Sequence, residues 1–133
     1  LDEQRRLVDL PGYGYAEVPD KVKQRWHLDM SEYFDNRQCL MAAILVMDCR
    51  HPLKPFDEMM LQWCVNNDVP TNILLTKSDK LKKGAASSTK LRVIKSVEDL
   101  PNVNVQLFSS LKKVGISELC QYLDKVFEFP NES

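Results

Sequence analysis

The tetrapeptide Thr76-Lys77-Ser78-Asp79 follows directly on an apolar run, residues 72–76. A carboxylate in such a place can accept two hydrogen bonds from a base edge that offers neighbouring N–H groups. Guanine offers that pair through N1–H and its exocyclic amine; adenine does not. The methylene stem of Lys77 can lie over a flat ring while its ammonium stays in water. A second carboxylate, Asp9, ends the short run Leu7-Val8 and meets Leu10-Pro11-Gly12 at once. Asp9 is suited to holding a hydrated Mg²⁺ beside nucleotide phosphates. Gly12 lets the backbone come close to a terminal phosphate and offer its N–H, then swing when that phosphate leaves. Two more polar tips complete the set. Ser109-Ser110-Leu111-Lys112-Lys113 follows the run 103–108, and Asp48-Cys49-Arg50-His51-Pro52 follows the run 42–48.

These groups can act together only if the chain brings them to one place. Four short apolar runs read as strands: 6–9, 42–48, 72–76 and 103–108. The middle two are continuous rather than alternating, the pattern of strands covered on both faces. Stretches of helical period lie between them. Val22, Trp26, Met30, Tyr33 and Arg37 recur at three- and four-residue steps after Pro19. Asp57 is placed to cap a helix carrying Met60, Trp63 and Cys64. Leu91, Ile94 and Val97 share a stripe within 87–100, and Ile116, Leu119, Cys120, Leu123, Val126 and Phe127 form the clearest stripe. Residues 77–88 read as a basic loop, and both tryptophans, Trp26 and Trp63, read as core. The alternation predicts one α/β domain over 1–133, three-layered, with a mostly parallel sheet and helices on both faces. In such folds ligands sit at the carboxyl ends of the strands, where the four polar tips fall.

Composition narrows the class. The 133 residues carry a net charge of -1 and are 44% hydrophobic, as in ordinary globular chains. No apolar run approaches the roughly 20 residues that span a bilayer, so no membrane partner is expected and the cytoplasm is the expected compartment. Cys39, Cys49, Cys64 and Cys120 show no zinc spacing and read as small buried hydrophobes. From Lys77 to Lys95 seven basic residues stand against one acid, Asp79, a face that water or a polyanion could cover. His51 has no second histidine or nucleophile beside it and reads as part of a turn, and His27 reads as surface.

The blocks VDLPGYGYAEVP (8–19), DCRHPLK (48–54), LLTKSDKLKKGA (74–85) and FSSLKKVG (108–115) resemble, in order and spacing, the EngB (YihA/YsxC) family of bacterial translation-factor-type P-loop GTPases. The resemblance implies a Ras-like GTPase fold. It implies a GTP-binding, slowly hydrolysing switch linked to assembly of the large ribosomal subunit, with roles in cell division and septum formation. By resemblance, Asp9 and Gly12 match the third GTPase motif, and Thr76, Lys77 and Asp79 the fourth. Ser109, Ser110 and Leu111 match the fifth, whose backbone N–H groups approach the guanine O6. GTP or GDP, Mg²⁺ near Asp9 and the large subunit or its rRNA are the implied ligands and partners. Tyr13 stands where Ras-like enzymes carry a water-orienting glutamine, and a phenol cannot copy that amide.

The sequence also departs from the family. Its glycines are Gly12, Gly14, Gly84 and Gly115, and none builds a G-x-x-x-x-G-K-[ST] phosphate cradle. The expectation is a truncated GTPase domain, without the first strand and helix, the P-loop and switch I. It would retain guanine recognition but bind nucleotide and Mg²⁺ weakly, and would be inactive as a GTPase in this form. An unpaired sheet edge would then favour self-association. The alternative reading is a non-enzymatic α/β docking module for ribosomal RNA or protein. A weaker third reading is metal-dependent phosphotransfer through Asp9 and Asp48.

Overall fold

Three of the four apolar runs form strands in the computed structural model, which describes Arg25, Leu28, Glu32 and residues 41–127. They are β1 (Ala43–Asp48), β2 (Thr71–Thr76) and β3 (Val103–Leu107), in the order β1-β2-β3. Both pairings are parallel, with Ala43 opposite Thr71 and Thr71 opposite Val103. The fourth run, 6–9, lies outside the described residues, as do Asp9, Gly12, Tyr13, Trp26 and His27. The chain divides into two compact units, Leu1–Gln38 and Cys39–Ser133. In the first, Arg25, Leu28 and Glu32 are helical and exposed.

Each parallel pair needs a crossover, and helices supply both: α1 (Pro55–Asn66) and α2 (Lys83–Ser96). Successive right-handed crossovers in one direction put their helices on the same face of the sheet. The main core has this composition. Met47 and Cys49, Ile73 and Leu75, and Val105 meet Leu61 of α1, Val93 of α2 and Val97 beyond it. A third helix, α3 (Ile116–Phe127), follows β3.

β2, the central strand, is buried at five of its six positions, the dry environment its unbroken apolar run predicts. β1 differs. Among the described residues it pairs on one side only, and Val46 is 62% exposed. Its continuous apolar sequence therefore does not mark a strand covered on both faces.

The helices correct several expectations. Asp57 is not the residue before α1 but lies in its first turn, where Oδ2 accepts the Lys54 N–H at 3.0 Å. Trp63 is only half-buried, while Met60, Leu61 and Cys64 make the inner face of α1. α2 begins at Lys83 rather than 87, so most of the expected basic loop is a 3₁₀ turn (Ser78–Lys80) and helix. Its buried face is Ala86, Thr89 and Val93, while Leu91 is 66% exposed. The stripe of α3 is half-buried at Leu119, Leu123, Val126 and Phe127, with Ile116 and Cys120 exposed. Cys49 and Cys64 are fully buried. Among the described residues no helix is long and apolar enough to cross a membrane.

Candidate functional site at the strand tips

Parallel pairing puts the segments after β1, β2 and β3 at one edge of the sheet. Short backbone bonds knit them together. Cys49 N–H donates to Thr76 O at 2.9 Å, Phe108 N–H to Leu75 O at 2.8 Å, and Ser78 N–H to Phe108 O at 3.1 Å. Thr76 faces back to β1, its hydroxyl donating to Met47 O at 3.1 Å. Lys77 then turns the chain through a left-handed conformation (φ 58, ψ 34), and its carbonyl accepts the Cys49 thiol at 3.4 Å. Ser78 is buried under the turn, which leaves Asp79 half-exposed at the edge.

Asp79 is met from the neighbouring strand tip. The Ser109 hydroxyl donates to Asp79 Oδ1 at 2.7 Å, and its oxygen accepts the Lys112 N–H at 3.1 Å. That bond from Ser109, with Lys80 and Lys112 nearby, holds the Asp79 carboxyl below its ordinary value despite partial desolvation. Asp79 is therefore an anion with acceptor sites to spare. The Ser109 backbone exchanges hydrogen bonds with Val114 at 3.0 and 2.9 Å, closing the loop 110–113. Ser110 and Leu111 lie exposed on that loop, Leu111 at 70%. Gly115 ends it with φ +78, and a Cβ there would overlap the Leu107 carbonyl oxygen.

Asp48 is engaged differently. Arg50 grips it with Nε on Oδ1 at 3.0 Å and a second guanidinium nitrogen on Oδ2 at 2.7 Å, and the Arg50 N–H adds a bond at 2.9 Å. This fork keeps the Asp48 carboxyl far below the usual carboxylate range. Lys77 Nζ stands 3.8 Å from the same carboxylate. An Asp48 so occupied is a poor metal ligand, and among the described residues no group of three His, Cys, Asp or Glu could hold an ion. Asp48 thus serves as an anchor for cations, which removes support from phosphotransfer through Asp9 and Asp48.

The structure brings Thr76, Lys77, Asp79 and Ser109 together, with Ser110 and Leu111 on the adjoining loop. Asp9 and Gly12 lie outside the described residues. Sequence reasoning missed the Asp48–Arg50 fork, the Cys49 support of Lys77 and the role of Gly115. Only Arg50, two residues after a strand-end aspartate, carried a visible signal.

A parallel three-stranded sheet with these helices matches a truncated P-loop GTPase fold. It resembles the crystal structure of a probable GTP-binding protein EngB with a TM-score of 0.70 at 20% identity, over 90% of this chain and 76% of that one. It resembles apo elongation factor SelB of Methanococcus maripaludis at 0.68 and 15% identity, over 93% of this chain and 25% of that one. No family model matches the sequence. Curated relatives do. A "Probable GTP-binding protein EngB" of Ruthia magnifica subsp. Calyptogena magnifica is 57% identical over 129 residues, 97% of this chain and 65% of the relative. Proteins of the same name from Enterobacter sp. (strain 638) and Methylococcus capsulatus are 49% and 43% identical, over 92% and 99% of this chain and 59% and 64% of theirs. The chain belongs to the EngB family, and it spans about three-fifths of the length of these relatives.

Proposed function

We propose that this chain carries the guanine-reading part of a GTP-binding switch. Asp79 accepts the base N1–H and amine, and the Lys77 stem covers the ring. Thr76 fixes the turn, and the backbone of Ser109, Ser110 and Leu111 faces the base O6. The carrying observation is the 2.7 Å bond from Ser109, which aims an ionised Asp79 at the strand-tip edge. Asp9 and Gly12 serve the phosphate side, where Mg²⁺ would neutralise phosphate charge. The wider reading is a slow cytoplasmic GTPase acting in large ribosomal subunit assembly, with consequences for division and septation. Contact with rRNA runs over the exposed lysines Lys82 and Lys83 together with Lys90 on α2. Such contact weakens steeply with salt.

The test is a titration of a fluorescent GDP analogue into this chain and into a form extended upstream of Leu1. Binding by the longer form with GDP preferred over ADP supports the reading. Equal affinity for GDP and ADP overturns it. For the partner, reversing Lys82, Lys83 and Lys90 to glutamate should lower ribosome association, and unchanged association removes this face from the interface.

A further inference from the structure

The second face of the sheet holds a row of side-chain amides that the strand-tip chemistry does not use. Asn104 Nδ2 donates to Asn72 Oδ1 at 2.9 Å, and Asn72 Nδ2 donates to Gln106 Oε1 at 2.9 Å. Gln106 Nε2 donates in turn to Gly115 O at 2.9 Å. The register explains the alignment. Asn72 is opposite Asn104, and Gln106 stands two positions further along β3 on the same face. Asn72 and Gln106 are fully buried. Two apolar side chains would fill that space without needing partners, so the polar choice calls for a reason.

The row ends on one atom of consequence. Gly115 follows Val114, whose backbone is paired to Ser109, and Ser109 holds Asp79. The Gly115 carbonyl also accepts the Leu119 N–H at 3.0 Å, so it ties the loop to the first turn of α3. Gly115 has no side chain of its own, and its Cα lies against the end of β3. Gln106 is therefore the side-chain fastener between the rigid sheet and the returning arm of the Ser109 loop.

We propose that Gln106 is a positioning residue for base selectivity, acting through Gly115 on Ser109 and so on Asp79. The inference rests on the guanine-reading function proposed above and assigns Gln106 no contact with nucleotide. If the fastener is lost, the loop end gains freedom, Ser109 aims Asp79 less well, and the two-bond recognition of guanine suffers more than binding in general.

The experiment compares GDP with inosine diphosphate, which lacks the exocyclic amine, in the whole protein. Gln106→Met keeps the volume and removes the donor. Its preference for GDP should fall about five-fold, the scale of one weakened bond to a charged acceptor. Ser109→Ala should fall by a similar factor, and the double variant no further than Ser109→Ala alone, because both act along one path. Asn104→Ala opens the row at its exposed end, taking the donor from Asn72 Oδ1 while leaving Gln106 in place, and should shift the preference about two-fold the same way. A lowered melting temperature with wild-type preference overturns the inference, as does full additivity in the double variant. If Gln106→Met fails to fold, wild-type preference in Asn104→Ala overturns it. A wild-type protein that does not distinguish GDP from ADP overturns the base-site reading itself, a result separate from these.

Discussion

Ser109 and Asp79 lie thirty positions apart in the chain, yet their side chains meet at 2.7 Å. Each ends a segment that leaves a parallel strand, so the contact depends on the register of β2 against β3. A one-residue slip of either strand would turn every side chain to the other face and part the pair.

Asp79→Asn replaces an acceptor with a group that is half donor. The variant should lose about 10- to 100-fold in GDP affinity, the scale of bonds to a charged group, and should gain affinity for xanthosine diphosphate. Competition between the two nucleotides on the whole protein reads both changes. Undiminished preference for GDP would remove Asp79 from the base site.

The pH response of Asp79 has a definite sign. Its folded pKa lies below the ordinary value, chiefly through the Ser109 bond. Its contribution to stability is therefore complete above the unfolded carboxylate value of about 3.9 and fades as pH falls through the lower folded value. Ser109→Ala should raise the Asp79 titration midpoint and flatten the acid limb of the stability curve below about pH 4. Carboxyl NMR titration with acid unfolding checks both, and an unmoved midpoint would show that the bond is not formed in solution.

The thiols should differ in reactivity. Burial pushes both Cys49 and Cys64 up from the ordinary thiol value and denies reagents access. Cys120 is exposed. Among these three, iodoacetamide followed by peptide mass mapping should find Cys120 alkylated first, and the other two only when the protein is unfolded. Early modification of Cys49 would mean that the turn at Lys77 opens readily.

Gly84 and Gly115 make a matched pair. A Cβ at Gly115 meets the Leu107 carbonyl in a backbone conformation that disfavours side chains, whereas nothing lies within 4 Å of a Cβ at Gly84. Gly115→Ala should cost about 1–3 kcal/mol or more. Gly84→Ala, in the first turn of α2, should gain up to about 1 kcal/mol. Urea unfolding distinguishes them, and a tolerated Gly115→Ala would mean that the loop has another way home.

The three described strands and the tips after them were legible because they rest on the plainest signals. β2 is an unbroken apolar run closed by Thr76-Lys77-Ser78-Asp79, and nothing else in the chain competes for that reading. The inner face of α2 was not legible. Leu91 and Ile94 are the larger apolar side chains, but the sheet leaves room there for Ala86, Thr89 and Val93. The start of α2 was missed for a related reason: Lys82 precedes it with no side-chain cap. The amides of Asn72, Asn104 and Gln106 carry no signal of their own in the sequence. Only the pairing of two strands shows them to be one another's partners.

The turn at Lys77 has a further meaning. On backbone grounds alone a left-handed position goes to glycine or asparagine, and any longer side chain there carries a conformational burden of about 1 kcal/mol. Lysine occupies it while its carbonyl is braced by Cys49 and the next N–H by Phe108. Lys77→Gly would therefore relieve the main chain and remove the ammonium beside Asp48 in the same stroke. On the proposed guanine-reading role, ease of folding and strength of ligand capture would move in opposite directions at one residue, so a screen for robustness alone would select against the lysine.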